Sequence, residues 1–503
     1  MSGRATTPAG GAGSGGVRPV RRAAITNLGC KVNQSEMDAI ERLLRARGVE
    51  VVRDGRAADL HLVNTCTVTA VADEKSRKAV RRARRASPGA AVIVTGCSVE
   101  VDREAFAAAD AAALLVGNEA KDGLLAEVER LLGLPGDGAE GPHGPLDAAL
   151  PTLAGVEIEG VADGRARIDR TRAYVKVQDG CSFHCTYCII PLARGPERSL
   201  APEIVLEDVR RALAAGHREV VLTGINIGTY DGGWSELGVR GSHARAALSL
   251  AGLVRRILAE TPVERIRLSS IEPQHVDDEL LAAWAGAGAG RCLPHFHLPL
   301  QSGDDGVLRR MGRRYTAEGY RHVVERVRAA IPGAAIYADV IAGFPTEDDA
   351  AFERSLAFIR DLDPAGLHVF RYSARPGTPA TRMAGQVPEP VRRRRAAALL
   401  EEASGARAGF AARAAGGRRR VLLEEPADPS DPGIGWVGHA EDYVLVRVPG
   451  PAPALEGAIA VVAVEAVDPL DAERAIGRVE RLLPRPAGPV HATPALPGVL
   501  LGA

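Results

Sequence analysis

The stretch YVKVQDGCSFHCTYC, residues 174–188, carries the chain from an alternating run into three cysteines. YVKV has the period of a strand, and Cys181, Cys185 and Cys188 follow it at spacings of four and three. No further cysteine occurs until Cys292. Zinc sites that only hold a fold together close the metal with four protein ligands. Three thiolates leave one coordination position free, where a small molecule can bind. Iron–sulfur clusters take thiolates readily, and an iron left without a protein ligand becomes a substrate-binding iron. Zinc is the rival, because His184 lies inside the motif and could supply a fourth ligand. Against zinc stands the position of the motif, directly after a strand at the expected mouth of a βα barrel, where reactive sites of such folds lie.

Outward from this stretch, residues 166–400 alternate strand-like runs with helical patterns: YVKV, EVVLTG, RIRLSS, HFHLPL, IYADVIAGF and GLHVF. Six βα units predict an open barrel or large parallel sheet, and an α/β fold class. Residues 22–134 repeat the alternation on a smaller scale, with AAIT, DLHLV, AVIVT and ALLVG as strands of a small parallel sheet. Residues 401–415 read as a connecting helix. Residues 416–483 change character: RRVLLEE, GWVGHAEDYVLVRV and AIAVVAVEAV, separated by Pro and Gly, predict a small antiparallel β-barrel. The Gly-rich residues 1–21 and the Pro- and Ala-rich residues 484–503 are expected to be disordered. Residues 135–165, opening with PGDGAEGPHGPLDAALP, read as a linker. The segment DGGWSELGVRGSHARAALSL at 231–250 is longer than a strand-to-helix connection needs and reads as a surface loop.

At 503 residues the chain is too long for a single core. Lys+Arg and Asp+Glu stand at 63 each, so an anionic partner must be met by local clusters and not by net charge. The first twenty residues hold no apolar segment of signal-peptide length, and no run of eighteen apolar residues occurs. A soluble, cytoplasmic protein without a membrane partner is expected. Seven cysteines in a chain this long do not make a disulfide framework, and in a reducing compartment free thiolates read as metal or redox ligands.

Three of the other cysteines share a placement. Cys30 follows AITNLG, Cys66 follows HLVNT and Cys97 follows AVIVTG, each at the carboxyl end of an expected strand. In a parallel sheet those ends lie on one edge, where open α/β sheets bind ligands. Cysteines 36 and 31 positions apart thereby meet at one place, which predicts a second three-thiolate site. The alternative makes each a small apolar core residue. Cys292, left over, is expected in the core.

With Tyr187 directly before Cys188, the later triad resembles the radical S-adenosylmethionine signature. Together with the three upstream cysteines and the C-terminal barrel, residues 22–483 resemble the methylthiotransferases, which join an N-terminal cluster domain, a radical barrel and a TRAM-type RNA-binding domain. The motifs NLGCKVNQSE around Cys30, YVKVQDGC, LSSIEP at 268–273 and HFHLPLQSGDD at 295–305 are most similar to the threonylcarbamoyladenosine tRNA methylthiotransferases. Members acting on isopentenyladenosine usually carry a different first motif and Ser-His-Pro where this chain has Ser270 to Pro273. Members acting on a ribosomal-protein aspartate differ at both places.

The resemblance implies two 4Fe–4S clusters, an auxiliary one on Cys30, Cys66 and Cys97 and a radical one on Cys181, Cys185 and Cys188. The open iron of the second would take the amino and carboxylate groups of S-adenosylmethionine. Its reductive cleavage would give a 5′-deoxyadenosyl radical that removes hydrogen from the adenine ring carbon, a step beyond side-chain acid–base chemistry. The auxiliary cluster would hold the sulfur, and a second S-adenosylmethionine would supply the methyl group. An electron donor and a sulfur source are implied, and the residues identify neither. The implied product is 2-methylthio-threonylcarbamoyladenosine beside the anticodon. The alternatives are methylthiolation of isopentenyladenosine in tRNA or of a ribosomal-protein aspartate and, outside enzymes, a zinc-stabilised RNA-binding protein.

By the same resemblance, candidate cosubstrate contacts follow the strand ends. Thr223, Gly224 and Asn226 in LTGIN occupy the position where radical enzymes grip the methionine amino group, and Glu272, Gln301 and Ser302 lie at later strand ends. Gly343 in DVIAGFP would let the backbone approach the adenine. For tRNA, EKSRKAVRRARR at 74–85 offers Arg77, Lys78, Arg81, Arg82, Arg84 and Arg85 on one helical stretch. The C-terminal barrel offers Arg418, Arg419 and Arg420, with Arg447, and RRRR at 392–395 precedes it. Such clusters neutralise phosphates, although a charge run is more often a solvated helix face.

Overall fold

The computed structural model describes residues 21–53, 56–118, 120–132, 171–232, 248–286, 288–428, 430–431, 434–450 and 455–485. The expected linker and most of the two expected disordered ends and of the 231–250 segment lie outside the described residues.

Five parallel strands form the first sheet, in the order β2-β1-β3-β4-β5: β1 (Arg22–Asn27), β2 (Glu50–Arg53), β3 (Leu60–Thr65), β4 (Ala91–Gly96) and β5 (Leu114–Val116). Parallel strands covered on both faces are apolar throughout, and β3 is buried at all six positions. One face packs Ile25, Leu44 and Leu62, the other Val63, Val80 and Phe106. The edge strand β2 was not expected. Its EVVR holds two apolar residues, too few to show a period. The register pairs Asn27 with Asn64 and Thr65 with Gly96, so β1, β3 and β4 end level with one another.

The second unit has six longer-range parallel strands and a short ribbon. β6 (Arg172–Lys176) is followed by the antiparallel pair β7 (Gln178–Asp179) and β8 (Arg198–Ser199), then by β9 (Glu219–Thr223) and β10 (Arg265–Leu268). β11 (His295–His297), β12 (Ala335–Ala342) and β13 (Gly366–Arg371) complete the set. The orders are β10-β9-β6 and β11-β12-β13, and single bridges at Ile266–Cys292 and Ser270–His297 run from one sheet to the other. No pairing joins β13 to β6 among the described residues, so the six strands make an open wall, with helices packed outside over a continuous apolar core. Cys292 is buried in that core. This is the expected α/β architecture with parallel sheets.

A helix of 26 residues, Glu389–Ala414, leads to the last five strands: β14 (Arg418–Pro426), β15 (Gly435–His439), β16 (Leu445–Pro449), β17 (Ile459–Asp468) and β18 (Asp471–Leu483). They close as β14-β15-β16-β18-β17, with β17 returning to β14. The expected purely antiparallel barrel is corrected here: β16 and β18 are parallel. Five strands cannot close a ring with every neighbour antiparallel, because an odd number leaves one pair running the same way. No helix among the described residues is long and apolar enough to cross a membrane.

Candidate active site

Cys30, Cys66 and Cys97 stand just beyond β1, β3 and β4, on the level edge of the first sheet. Burial and repulsion from neighbouring thiols oppose the ionisation of Cys30 and Cys66. Burial pushes the Cys66 thiol up to about 11, with Cys97 and Cys30 adding to the shift, and Cys30 is also raised, Cys97 again contributing. That coupling marks the three sulfurs as neighbours. Cys30 is exposed, Cys66 half-buried and Cys97 buried. Two donors reach Cys97 Sγ: Asn118 Nδ2 at 3.8 Å and Arg194 Nε at 3.2 Å.

Arg194 was not anticipated, and it joins the two sheets. It ends the short helix Ile190–Arg194, directly after the second triad, and is 4% exposed. Its guanidinium donates to Asp179 Oδ1 at 2.9 Å, to Glu36 Oε1 at 3.1 Å and to Asn33 Oδ1. Lys121 Nζ also meets Glu36, at 2.6 Å. Burial would raise the Glu36 carboxyl, but Arg194, Lys121 and Lys176 bring it down to about 2. A second link pairs Arg375 with Asp73 and with Thr67 Oγ1, the latter at 2.7 Å.

Cys181, Cys185 and Cys188 occupy a loop pinned from three sides. Thr186 N donates to Met311 O at 2.9 Å, Ala380 N donates to Thr186 O at 2.8 Å, and Cys181 N donates to Gly195 O at 3.1 Å. Tyr187 packs on the cluster of Met311, Phe344 and Tyr372. The loop's entry requires glycine: Gly180 has φ +67°, and a Cβ there would stand 1.9 Å from Pro196 O. Phe183 N donates to Cys181 Sγ at 3.4 Å, and Arg313 Nη1 donates to Cys185 Sγ at 3.4 Å. Burial pushes Cys188 up to about 12.

The donor chemistry fits polynuclear thiolate clusters. Among the described residues, the one set of three His, Cys, Asp or Glu ligand atoms within 4.8 Å of one another is His297, Asp339 and His368. Neither cysteine triad gathers so tightly, and His184 joins none. Zinc bonded to sulfur at about 2.3 Å would hold its thiolates about 3.8 Å apart. A cluster that takes each thiolate on a different iron suits the wider spread.

The expected cosubstrate residues sort into two kinds. Thr223 and Asn226 are buried at the end of β9, and both Nδ2 and Oδ1 of Asn226 lack any partner. A buried amide orphaned at both ends costs several kcal/mol and fits a ligand with both donor and acceptor groups. A Cβ on Gly224 would come within 2.8 Å of Gln178 Oε1. Gln301 is buried with φ +68°, and Ser302 is buried beside it, its Oγ accepting from Asp304 N at 3.2 Å. Glu272 and Gly343 are already engaged. Glu272 pairs with Arg313. Gly343 has φ +73°, donates its N–H to Glu347, and a Cβ there would meet Arg392 Cγ at 2.2 Å.

The basic residues divide too. On the helix Ala70–Ala86, Arg81, Arg82 and Arg85 are exposed and make no hydrogen bond or ion pair among the described residues. Arg77 is half-buried, and Lys78 pairs with Glu74 at 2.5 Å. Arg84 is held by Asp110 at 2.9 Å and by the carbonyls of Pro88 and Ala90. In the last barrel Arg418 pairs with Glu480, Arg419 with Asp442 and Arg447 with Asp468, and Arg420 donates to Gly290 O. Arg392 and Arg395 are tied to Tyr372 O and to Glu347.

Comparison with known proteins gives two family matches: an uncharacterized protein family, UPF0004, over residues 22–117, and the radical SAM superfamily over residues 175–359. The chain is 33% identical over 427 residues to a threonylcarbamoyladenosine tRNA methylthiotransferase of Bacillus subtilis, covering 85% of this chain and 90% of that protein. It is 36% identical to the enzyme of that name from Thermotoga maritima, over 73% and 78% of the two chains. It is also 32% identical to a tRNA-2-methylthio-N(6)-dimethylallyladenosine synthase of Erythrobacter litoralis, again over 73% and 78%.

Proposed function

The chain belongs to the radical S-adenosylmethionine tRNA methylthiotransferases, and on that footing we propose that it methylthiolates the adenine ring of threonylcarbamoyladenosine beside the anticodon. One arrangement carries the reading. Two three-cysteine sets lie at strand ends of two parallel sheets, and Arg194 leaves the second set to reach a sulfur of the first.

Cys30, Cys66 and Cys97 would hold an auxiliary 4Fe–4S cluster, and Cys181, Cys185 and Cys188 a second one. Bound there, the clusters and S-adenosylmethionine supply the one-electron chemistry, sulfur and methyl group that turn an unactivated ring C–H into C–S–CH3. The protein binds, orients and excludes water. Asn226, with both amide ends unpaired, and its neighbours Thr223 and Gly224 take the methionine end of the cosubstrate, with Gln301 and Ser302 across the wall. Arg313 orients Cys185 through its hydrogen bond while Glu272 fixes Arg313. His297 Nε2 lies 2.8 Å from Asp339 Oδ1, a hydrogen bond that orients the imidazole within the open wall. An electron donor and a sulfur source are required, and the residues identify neither.

For tRNA, the open stripe Arg81, Arg82 and Arg85 is the favoured phosphate contact, because Arg418, Arg419 and Arg420 of the last barrel already have partners. We read residues 22–134 as the auxiliary-cluster domain, 166–400 as the radical domain, 401–415 as the connecting helix and 416–483 as a TRAM-type domain. The test is nucleoside mass spectrometry of tRNA from cells lacking the protein. Loss of 2-methylthio-threonylcarbamoyladenosine, with the isopentenyl product retained, is expected. Loss of the isopentenyl product alone would overturn the substrate.

A further inference from the structure

Lys31 follows Cys30 and begins the helix Lys31–Ala46. It is half-buried, and among the described residues it makes no hydrogen bond or ion pair. The helix it begins packs against β6, which opens with Arg172, and the groups that act on its ammonium are Tyr443 from the last barrel and Arg172, Arg267 and Asp339 from the six-stranded wall. The two arginines already have counter-charges, Arg172 Nε lying 2.8 Å from Glu424 and Arg267 Nε 2.9 Å from Glu219, and Asp339 is already hydrogen-bonded to His297 and His368. In this group Lys31 is the cation left over.

A second observation falls on the same place. His295 is 4% exposed, and its Nδ1 is buried without a partner. Its ring lies 4.3 Å from that of Tyr443, centroid to centroid. Tyr443 has φ +73°, a conformation that bulky residues rarely adopt and that collects at ligand clamps. Its hydroxyl accepts from Arg172 Nη1 at 3.3 Å, and the Arg267 guanidinium stands 4.7 Å from its ring. A buried imidazole nitrogen without a partner is costly until a ligand satisfies it, and the Lys31 charge acts on that same ring.

That ligand must present a negative charge and further polar atoms next to Cys30. Resting on the substrate reading above, we infer that Lys31 binds the carboxylate of the threonylcarbamoyl group, with Tyr443 and His295 as its neighbours. The substituent carries one carboxylate, one hydroxyl and a carbamoyl linkage, so it can pair with both unsatisfied groups. An isopentenyl group offers neither charge nor hydrogen bonds. It would leave Lys31 and His295 unpaired, a form of rejection stronger than any apolar misfit.

The test compares two anticodon stem-loops, one with threonylcarbamoyladenosine and one with its methyl ester. Binding to the cluster-loaded, unreduced protein is followed by fluorescence anisotropy. The wild type should prefer the carboxylate. Lys31→Met should weaken binding of the carboxylate RNA by about 10- to 100-fold, the range of one hydrogen-bonded charge, and leave the ester unchanged. Lys31→Arg should keep the preference, and full iron content in both variants shows that they are folded. Equal affinities of Lys31→Met and the wild type would overturn the inference. So would equal weakening on both RNAs, which would assign Lys31 to RNA phosphates. A shift of the auxiliary-cluster potential without loss of the preference would also overturn it. Failure of the substrate reading is separately visible, as wild-type turnover of an isopentenyladenosine stem-loop and not of the threonylcarbamoyl one.

Discussion

Arg194 must satisfy two carboxylates, an amide oxygen and a thiol at once, all out of water. Arg194→Met strands Glu36 and Asp179, and the cost of breaking a buried pair predicts a loss of about 3–5 kcal/mol in urea unfolding. Arg194→Lys should rescue little, because an ammonium lacks the planar fork that reaches several acceptors. Glu36 carries the matching pH signature. Its carboxyl sits at about 2 against an ordinary 4.5, so its contribution is fully present above pH 4.5 and is lost as pH falls toward 2. Glu36→Gln should therefore cost about 3 kcal/mol at pH 7, with the gap to wild type closing between pH 4.5 and 2 in the same unfolding assay. The strand-end positions of Cys30, Cys66 and Cys97 were legible in the sequence because each follows an apolar run, and the Cys181 motif because it opens just after YVKV. Arg194, Lys31 and Tyr443 were not. Deciding partners lie far off in sequence, Glu36 and Asn33 standing 158 and 161 positions from Arg194, and no local period marks them.

The helix Ala70–Ala86 shows how one charge run divides between structure and surface. Arg81, Arg82 and Arg85 are open, while Arg84 closes on Asp110 and two carbonyls. Replacing Arg81, Arg82 and Arg85 with Ala should weaken tRNA binding and reduce the salt slope by up to about one unit per lost phosphate contact, with the melting temperature unchanged. Arg84→Ala should do the reverse, lowering the melting temperature and leaving the salt slope intact. An unchanged slope in the triple variant would remove this face from the RNA interface. Sequence alone announces seven basic residues but not this partition, because Asp110 lies 26 positions beyond Arg84. The last barrel makes the same point: its earlier runs were legible from their apolar residues, but β18, with its many charged residues, was not read as a strand, and the single parallel pair follows from counting strands around a closed ring.

Across the whole molecule the two triads should load separately, although they share Arg194. Reconstituted protein should hold about eight irons per chain, and Ala replacement of either triad should leave about half. Full iron in either variant would dismiss that site. Order in sequence and place in space diverge here: the two triads are legible as separate motifs, but the side chains that tie their sheets together are visible only once the chain is folded. One consequence concerns traffic. Cys30 is exposed, Cys66 half-buried and Cys97 buried beneath Arg194, so among the described residues the first site is most open at Cys30. Iron and sulfide being delivered, and oxygen doing damage, are expected to arrive from the Cys30 side, and a half-stripped cluster should lose its hold there first. Timed alkylation of the metal-free protein followed by peptide mass spectrometry should label Cys30 before Cys66 and Cys66 before Cys97, so that the path of assembly and the path of wear are the same corridor.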